Sequence, residues 1–263
     1  MKKHQVSIVL ITEKNRLTSY EEISLKRALE VFSDYNTYLV ISEETDPCNF
    51  LDTDQVTVIK LTECHFRSVN SYSKLLLSDF FYKQFIDSEY ILVYQLDCFV
   101  FKNNLSDFLT YDYIGAPWFN SQNHAGNAII RTLLFRKPLT SFRLIISWYL
   151  RKKTSGVGNG GLSLRRVDKF IEITADRRIK KIISTWIKCK RPHEDVFYSF
   201  IVPLYIKNFK IADIASATKF SFETYPRECY KLNHHELPFG CHAWAKHDID
   251  FWREIFSTFN YKI

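Results

Sequence analysis

The sequence predicts an α/β fold, a mostly parallel central sheet flanked by helices, and three observations predict it. "VSIVLIT" is a short continuous apolar run of the kind that forms a buried strand, and "SYEEISLKRALEVFSDY" follows with Ile23, Leu25, Leu29 and Phe32 near helical spacing. "TYLVIS" then reads as a second strand, and strand, helix, strand is how a parallel sheet begins. With 263 residues, 46% of them hydrophobic, the chain can close one such unit around a substantial core. Its 7 glycines and 7 prolines leave little material for long linkers, so one domain over 1–263 is expected.

The later elements continue the alternation. "VTVIKL" supplies a third strand, "NSYSKLLLSDFFYKQF" a helix, and "YILVY" the next strand, which puts Asp97 just past a strand's carboxyl end. In open α/β sheets that edge is where ligands bind, so Asp97 is either a ligand-facing carboxylate or a plain strand-ending acid. Beyond it, "YDYIGAPWF" reads as a short strand and turn, and "SFRLIISWYLRKK" as a helix with a basic end. "VGNGGLSLRRVDKFIEI" reads as a glycine loop entering a helix, and "DRRIKKIISTWIKC" as a further helix.

Composition excludes several classes. No apolar stretch approaches the ~18 residues needed to span a bilayer, and the apolar run behind "MKK" is too short for a signal peptide. The six cysteines are scattered without C-x-x-C spacing, as reduced core thiols are, so a cytoplasmic protein is expected. The net charge of +7 is uneven: residues 131–191 hold 17 Lys and Arg against 3 Asp and Glu. So concentrated an excess implies a basic helical insertion around 131–191 and an anionic partner for it.

Three features could carry chemistry. Four of the seven glycines (Gly156, Gly158, Gly160, Gly161) fall within six residues, which suits either a loop shaped around a ligand or a plain turn. "RPHEDVFYSF" sets Glu194 and Asp195 at the start of an apolar-periodic segment, where acids favourably meet a helix dipole or take a proton from an attacking hydroxyl. His242 in "PFGCHAW" could join Asp97 in a hard-metal site if the two meet.

In order, "YQLD", "YIGAPWF", "VGNGGLSLR", "HEDVFYS", "FSFE" and "PFGCHAW" resemble a family of uncharacterised bacterial glycosyltransferase-like domains from surface-polysaccharide gene sets, related to GT-A sugar-nucleotide transferases. The resemblance runs from about residue 5 to 255. It implies a GT-A-like fold in which Asp97, as the last acid of a D-x-D, and His242 hold Mn²⁺ or Mg²⁺ against the donor diphosphate. It also implies that Gly160 and Gly161 line the sugar pocket and that Asp195, or Glu194 as alternate, is the base of an inverting reaction. Gln95 stands where the family has its first acid, which leaves that acid's ribose and metal-water contacts open. Thr12, Tyr72, Lys74 and Gln95 are expected beside the donor nucleotide, and Trp118 and Asn159 beside the acceptor.

"ADRRIKKIISTWIKCKRP" spaces Ile179, Ile182, Ile183, Trp186 and Ile187 along one face and puts cations on the other. Such a helix either faces the core or lies on an anionic membrane, where Trp148, Lys152, Lys181 and Trp186 would be the contacts. A lipid-linked glycan acceptor in O-antigen, capsule or lipopolysaccharide synthesis, met at the inner face of the cytoplasmic membrane, agrees with that reading. The competing classes are a non-enzymatic basic lipid- or nucleic-acid-binding protein and a metal-dependent phosphoesterase or nucleotidyltransferase. No helix-turn-helix, zinc-finger spacing or RNP-like strand is found, so no nucleic-acid partner is expected.

Overall fold

The computed structural model describes residues 4–118, 156–188 and 192–263. Its main sheet contains β1 (His4–Ile11), β2 (Asn36–Ser42), β3 (Thr57–Leu61), β4 (Ser88–Gln95), β6 (Tyr113–Gly115) and β9 (Leu162–Arg166), in the order β3-β2-β1-β4-β9-β6. β1 pairs in parallel with β2 and β4, and β2 with β3, while β9 runs antiparallel to both of its neighbours. The expected α/β architecture with a mostly parallel sheet is therefore present. Because the chain builds β2 and β3 on one side of β1 and then crosses to β4 on the other, a crevice opens at the carboxyl ends of β1 and β4. Register places Ile11 opposite Gln95, so Thr12 and Asp97 both emerge at that crevice.

Side chains alternate between two cores, one on each sheet face. Ile8, Leu10, Leu92 and Tyr94 pack on one side with Leu25 and Ala28 of α1 (Ser19–Val31) and with Phe32 directly after it. Val9, Ile11, Ile91 and Val93 pack on the other, against α2 (Val69–Leu76), α3 (Asp79–Lys83), α4 (Val167–Ala175) and α5 (Arg177–Trp186). Burial on both faces is why these strands read as unbroken apolar runs. A second, smaller sheet joins β5 (Cys98–Val100), β11 (Gly240–His242) and β10 (Ser221–Phe222), in the order β10-β11-β5. Trp244, Trp252 and Phe256 cover it.

Three expectations change. The glycine loop enters β9 before it reaches a helix, since "LSLRR" pairs with β4 and β6 on either side. β9 and α4 thus belong to the main sheet and its core. The single helix expected over "NSYSKLLLSDFFYKQF" is two, because Ser78 caps α3 by accepting from the Phe81 N–H. The third concerns α5: Ile179 and Trp186 are only 1% exposed, so the helix turns its apolar face to the core and Trp186 is not a membrane contact. Lys181 is exposed, and Trp148 and Lys152 lie outside the described residues. Among the described residues no helix is long and apolar enough to cross a membrane.

Candidate functional site

The crevice opens into a cleft of about 580 Å³ floored by the ends of β1 and β4, the glycine loop and the segment before α6 (Glu194–Val196). It gathers Thr12, Tyr72, Gln95 and Asp97 from the first half of the chain. From the second half it gathers Asn159, Gly160, Gly161, Glu194, Asp195 and His242. Two expected residues stay out: Lys74 projects from the exposed side of α2, and Trp118, on β7 (Pro117–Trp118), which pairs with β8 (Gly156–Val157), stacks on Phe200 with ring centroids 5.8 Å apart.

Asp97 and His242 meet because β11 pairs antiparallel with β5, His242 opposite Cys98, and the Ala243 N–H donates to the Asp97 carbonyl at 2.9 Å. His242 Nε2 lies 3.1 Å from Asp97 Oδ1 and 3.3 Å from Gln95 Oε1, while Nδ1 faces Glu223 Oε1 at 3.4 Å. Lys246 Nζ holds Asp97 Oδ2 at 2.9 Å. Burial would lower the imidazole pKa, but the Asp97 and Glu223 carboxylates overcome it and push the group up to about 10. Burial likewise opposes ionisation of Asp97, yet His242 and Lys246 hold its carboxyl well below the usual range. Gly161 is required here, because a Cβ on it would lie 2.1 Å from His242 Nε2.

The residues fit a divalent cation. Asp97 Oδ1 is buried without an aligned hydrogen-bond donor although the Nε2 of the charged imidazole is only 3.1 Å away, so a cation that displaced the Nε2 proton would meet both groups at one point. Carboxylate oxygen, imidazole nitrogen and the Gln95 amide oxygen make a set suited to a hard or borderline ion. Cys98 sulfur lies in the same group, all ligand atoms within 4.8 Å of one another, but it donates to the Gly161 carbonyl at 3.4 Å and burial pushes its thiol up.

The two acids of "HED" separate in role. Glu194 is buried, accepts from the Ser73 hydroxyl at 2.7 Å and faces Arg165 Nη2 at 3.6 Å. Arg165 is itself fully buried, bound to Tyr82 Oη at 2.9 Å and Ser163 Oγ at 3.0 Å. Asp195 is half-buried, and its carboxylate accepts from the Val196 N–H at 2.6 Å. After α6 the chain makes a π turn over Phe197–Ile201, an irregularity frequent near functional sites. Asn159 Oδ1 accepts the Gly161 N–H at 3.0 Å, so this residue shapes the loop.

Sequence reasoning missed Arg165, Ser73 and Lys246, which carry no local signal beyond their elements. Glu223 ends "FSFE", where no sequence feature assigns it a role.

This arrangement is a GT-A-like glycosyltransferase fold. The galactosyltransferase LgtC, solved in complex with donor and acceptor sugar analogs, matches with a TM-score of 0.50 over 90% of this chain and 86% of its own, at 14% identity. The apo form of the glycosyltransferase GlyE of Streptococcus pneumoniae TIGR4 matches with a TM-score of 0.46 at 12% identity, over 91% of this chain and 54% of its own. A glycosyltransferase involved in glycosylation of the major capsid of PBCV-1 gives 0.46 at 14%, over 90% of this chain and 93% of its own. Among curated proteins none matches. The chain belongs to the family described as "Protein of unknown function (DUF5672)", whose family model matches residues 55–242.

Proposed function

We propose that this chain is a glycosyltransferase that moves a hexose from a nucleotide-sugar donor to a glycan or lipid-linked glycan acceptor in surface-polysaccharide synthesis. The observation that carries the reading is the pairing of β11 with β5, which brings His242 to Asp97 in the cleft that also holds the glycine loop and Asp195. A divalent cation held by Asp97 and His242 would neutralise the charge that grows on the diphosphate as it leaves.

The rest is work for the chain. Thr12, Tyr72 and Gln95 border the nucleotide end, and Gly160 and Gly161 keep side chains off the floor so that the sugar approaches the backbone. Ser73 and Arg165 fix Glu194, which then orders the loop, because a Cβ on Gly160 would lie 2.6 Å from its carboxylate. Asp195 takes the proton from the acceptor hydroxyl as it attacks the anomeric carbon, which inverts the configuration. The exposed cations of α5, with Trp148 and Lys152, hold the protein to the inner face of the cytoplasmic membrane near a lipid-linked acceptor.

The test is turnover of a panel of nucleotide sugars with soluble and lipid-linked glycan acceptors, with and without Mn²⁺. Release of nucleoside diphosphate that needs both acceptor and cation is expected. Asp195→Asn is expected to lower it by roughly 10²-fold or more, the usual contribution of a positioned base. Release of nucleoside monophosphate instead, or full turnover by folded Asp97→Ala, overturns the reading.

A further inference from the structure

The His242 imidazole lies between two carboxylates, Asp97 in the turn between β4 and β5 and Glu223 just after β10. Nε2 faces Asp97 Oδ1 at 3.1 Å inside the cleft, and Nδ1 faces Glu223 Oε1 at 3.4 Å behind it. Register explains the second contact: β10 runs parallel to β11 with Phe222 beside Cys241, so the next residue, Glu223, arrives beside His242. The Glu223 side chain is 12% exposed and does not line the cleft. Among the described residues its Oε2 has no hydrogen-bond partner, and its Oε1 is the acceptor that faces Nδ1, at a distance and angle just short of a well-aligned hydrogen bond. A buried carboxylate held this way costs free energy unless it is paired and hydrogen-bonded, and the His242 ring is the group that faces it.

A histidine that binds a metal through one ring nitrogen must carry its proton on the other, and a carboxylate behind the ring fixes both tautomer and orientation. Gly161 already presses on the ring from one side, so rotation about χ2 is the remaining freedom. We infer that Glu223 is the positioning residue of the cation site: it accepts the Nδ1–H of His242 and so presents the Nε2 lone pair beside Asp97. This rests on the reading of Asp97 and His242 as cation ligands. It adds a residue just after β10, which no part of that reading used.

The experiment measures Mn²⁺ affinity of the full chain by titration calorimetry, without substrate, for the wild type, Asp97→Ala, Glu223→Ala and Glu223→Gln, each checked by circular dichroism. Glu223→Ala is expected to weaken Mn²⁺ binding about 10- to 100-fold, the usual effect of losing such a partner. Glu223→Gln, whose amide oxygen still accepts Nδ1–H, is expected to recover most of it. In Mg²⁺-saturated protein, ¹⁵N correlation of the His242 ring is expected to place the proton on Nδ1 in the wild type and not in Glu223→Ala. Wild-type affinity and tautomer in Glu223→Ala, with binding lost in Asp97→Ala, overturn the inference and leave the cation reading standing. Equal losses in the Gln and Ala variants also overturn it, since charge rather than positioning would then act. Absence of Mn²⁺ binding in the wild type overturns both.

Discussion

Gly161 shows how narrowly the site is fixed at the scale of a residue. A Cβ there would meet three ring atoms of His242 at 2.1 to 2.5 Å, and the ring, 8% exposed, has little room to give. Gly161→Ala is therefore expected to cost about 1–3 kcal/mol of stability by overpacking and to turn Nε2 away from Asp97. In a His242→Ala background the same change should cost almost nothing, because the obstructing ring is gone. Denaturant melts of the four proteins check this, and equal costs in both backgrounds would refute the contact. The sequence made Gly161, Asp97 and His242 visible one by one through glycine clustering, a strand end and a family resemblance. Their meeting depends on β-pairing between segments about 140 residues apart, which no local pattern encodes. Arg165 was hidden for a different reason: a strand alternation read from one chain does not say which charged residue will be buried against tyrosines.

At the scale of an element, α5 separates two consequences of one amphipathic pattern. The periodicity was readable, but an apolar face looks alike whether a core or a bilayer covers it, and here the core covers it. Trp186 does more than fill space: its indole N–H donates to the His193 carbonyl at 3.2 Å, directly before Glu194 and Asp195. Trp186→Ala is thus expected to destabilise the fold by about 3–5 kcal/mol, read as a lowered urea midpoint. The cationic face is the part left for an anionic surface, with the Arg178 side chain 78% exposed. Arg178→Glu with Lys181→Glu should reduce flotation with anionic liposomes and leave the melting temperature nearly unchanged. Unaltered flotation would remove this helix from any membrane role. The same scale explains the error at 162–166, where the glycine loop was expected to open a helix. "LSLRR" is too short for its alternation to outweigh the helical pattern of "VDKFIEI" behind it, and only β4 and β6 on either side make it a strand.

For the whole molecule, strand order decides where charge can be placed. The crossing from β3 to β4 opens the crevice, and the chain loads it with acids, Glu13, Glu21, Asp97, Glu194 and Asp195 among its lining, although the net charge is +7. A nucleoside diphosphate entering such a cleft meets repulsion that Lys14, Lys246 and the charged His242, each already paired with an acid, only partly offset. A divalent cation at Asp97 and His242 reverses the local sign, so cation and diphosphate should each strengthen the binding of the other by the same factor. Ligand at about 100 times its dissociation constant adds about 2.7 kcal/mol of stability, which for a domain of this size is a rise in melting temperature of roughly 5–10 °C. The expected outcome in a thermal-shift matrix is a small shift with Mn²⁺ alone, little with nucleoside diphosphate alone, and more than their sum with both. Asp97→Ala should abolish the excess, because the cation then has no carboxylate to bind. Additive shifts in the wild type would mean that the two ligands do not share the crevice.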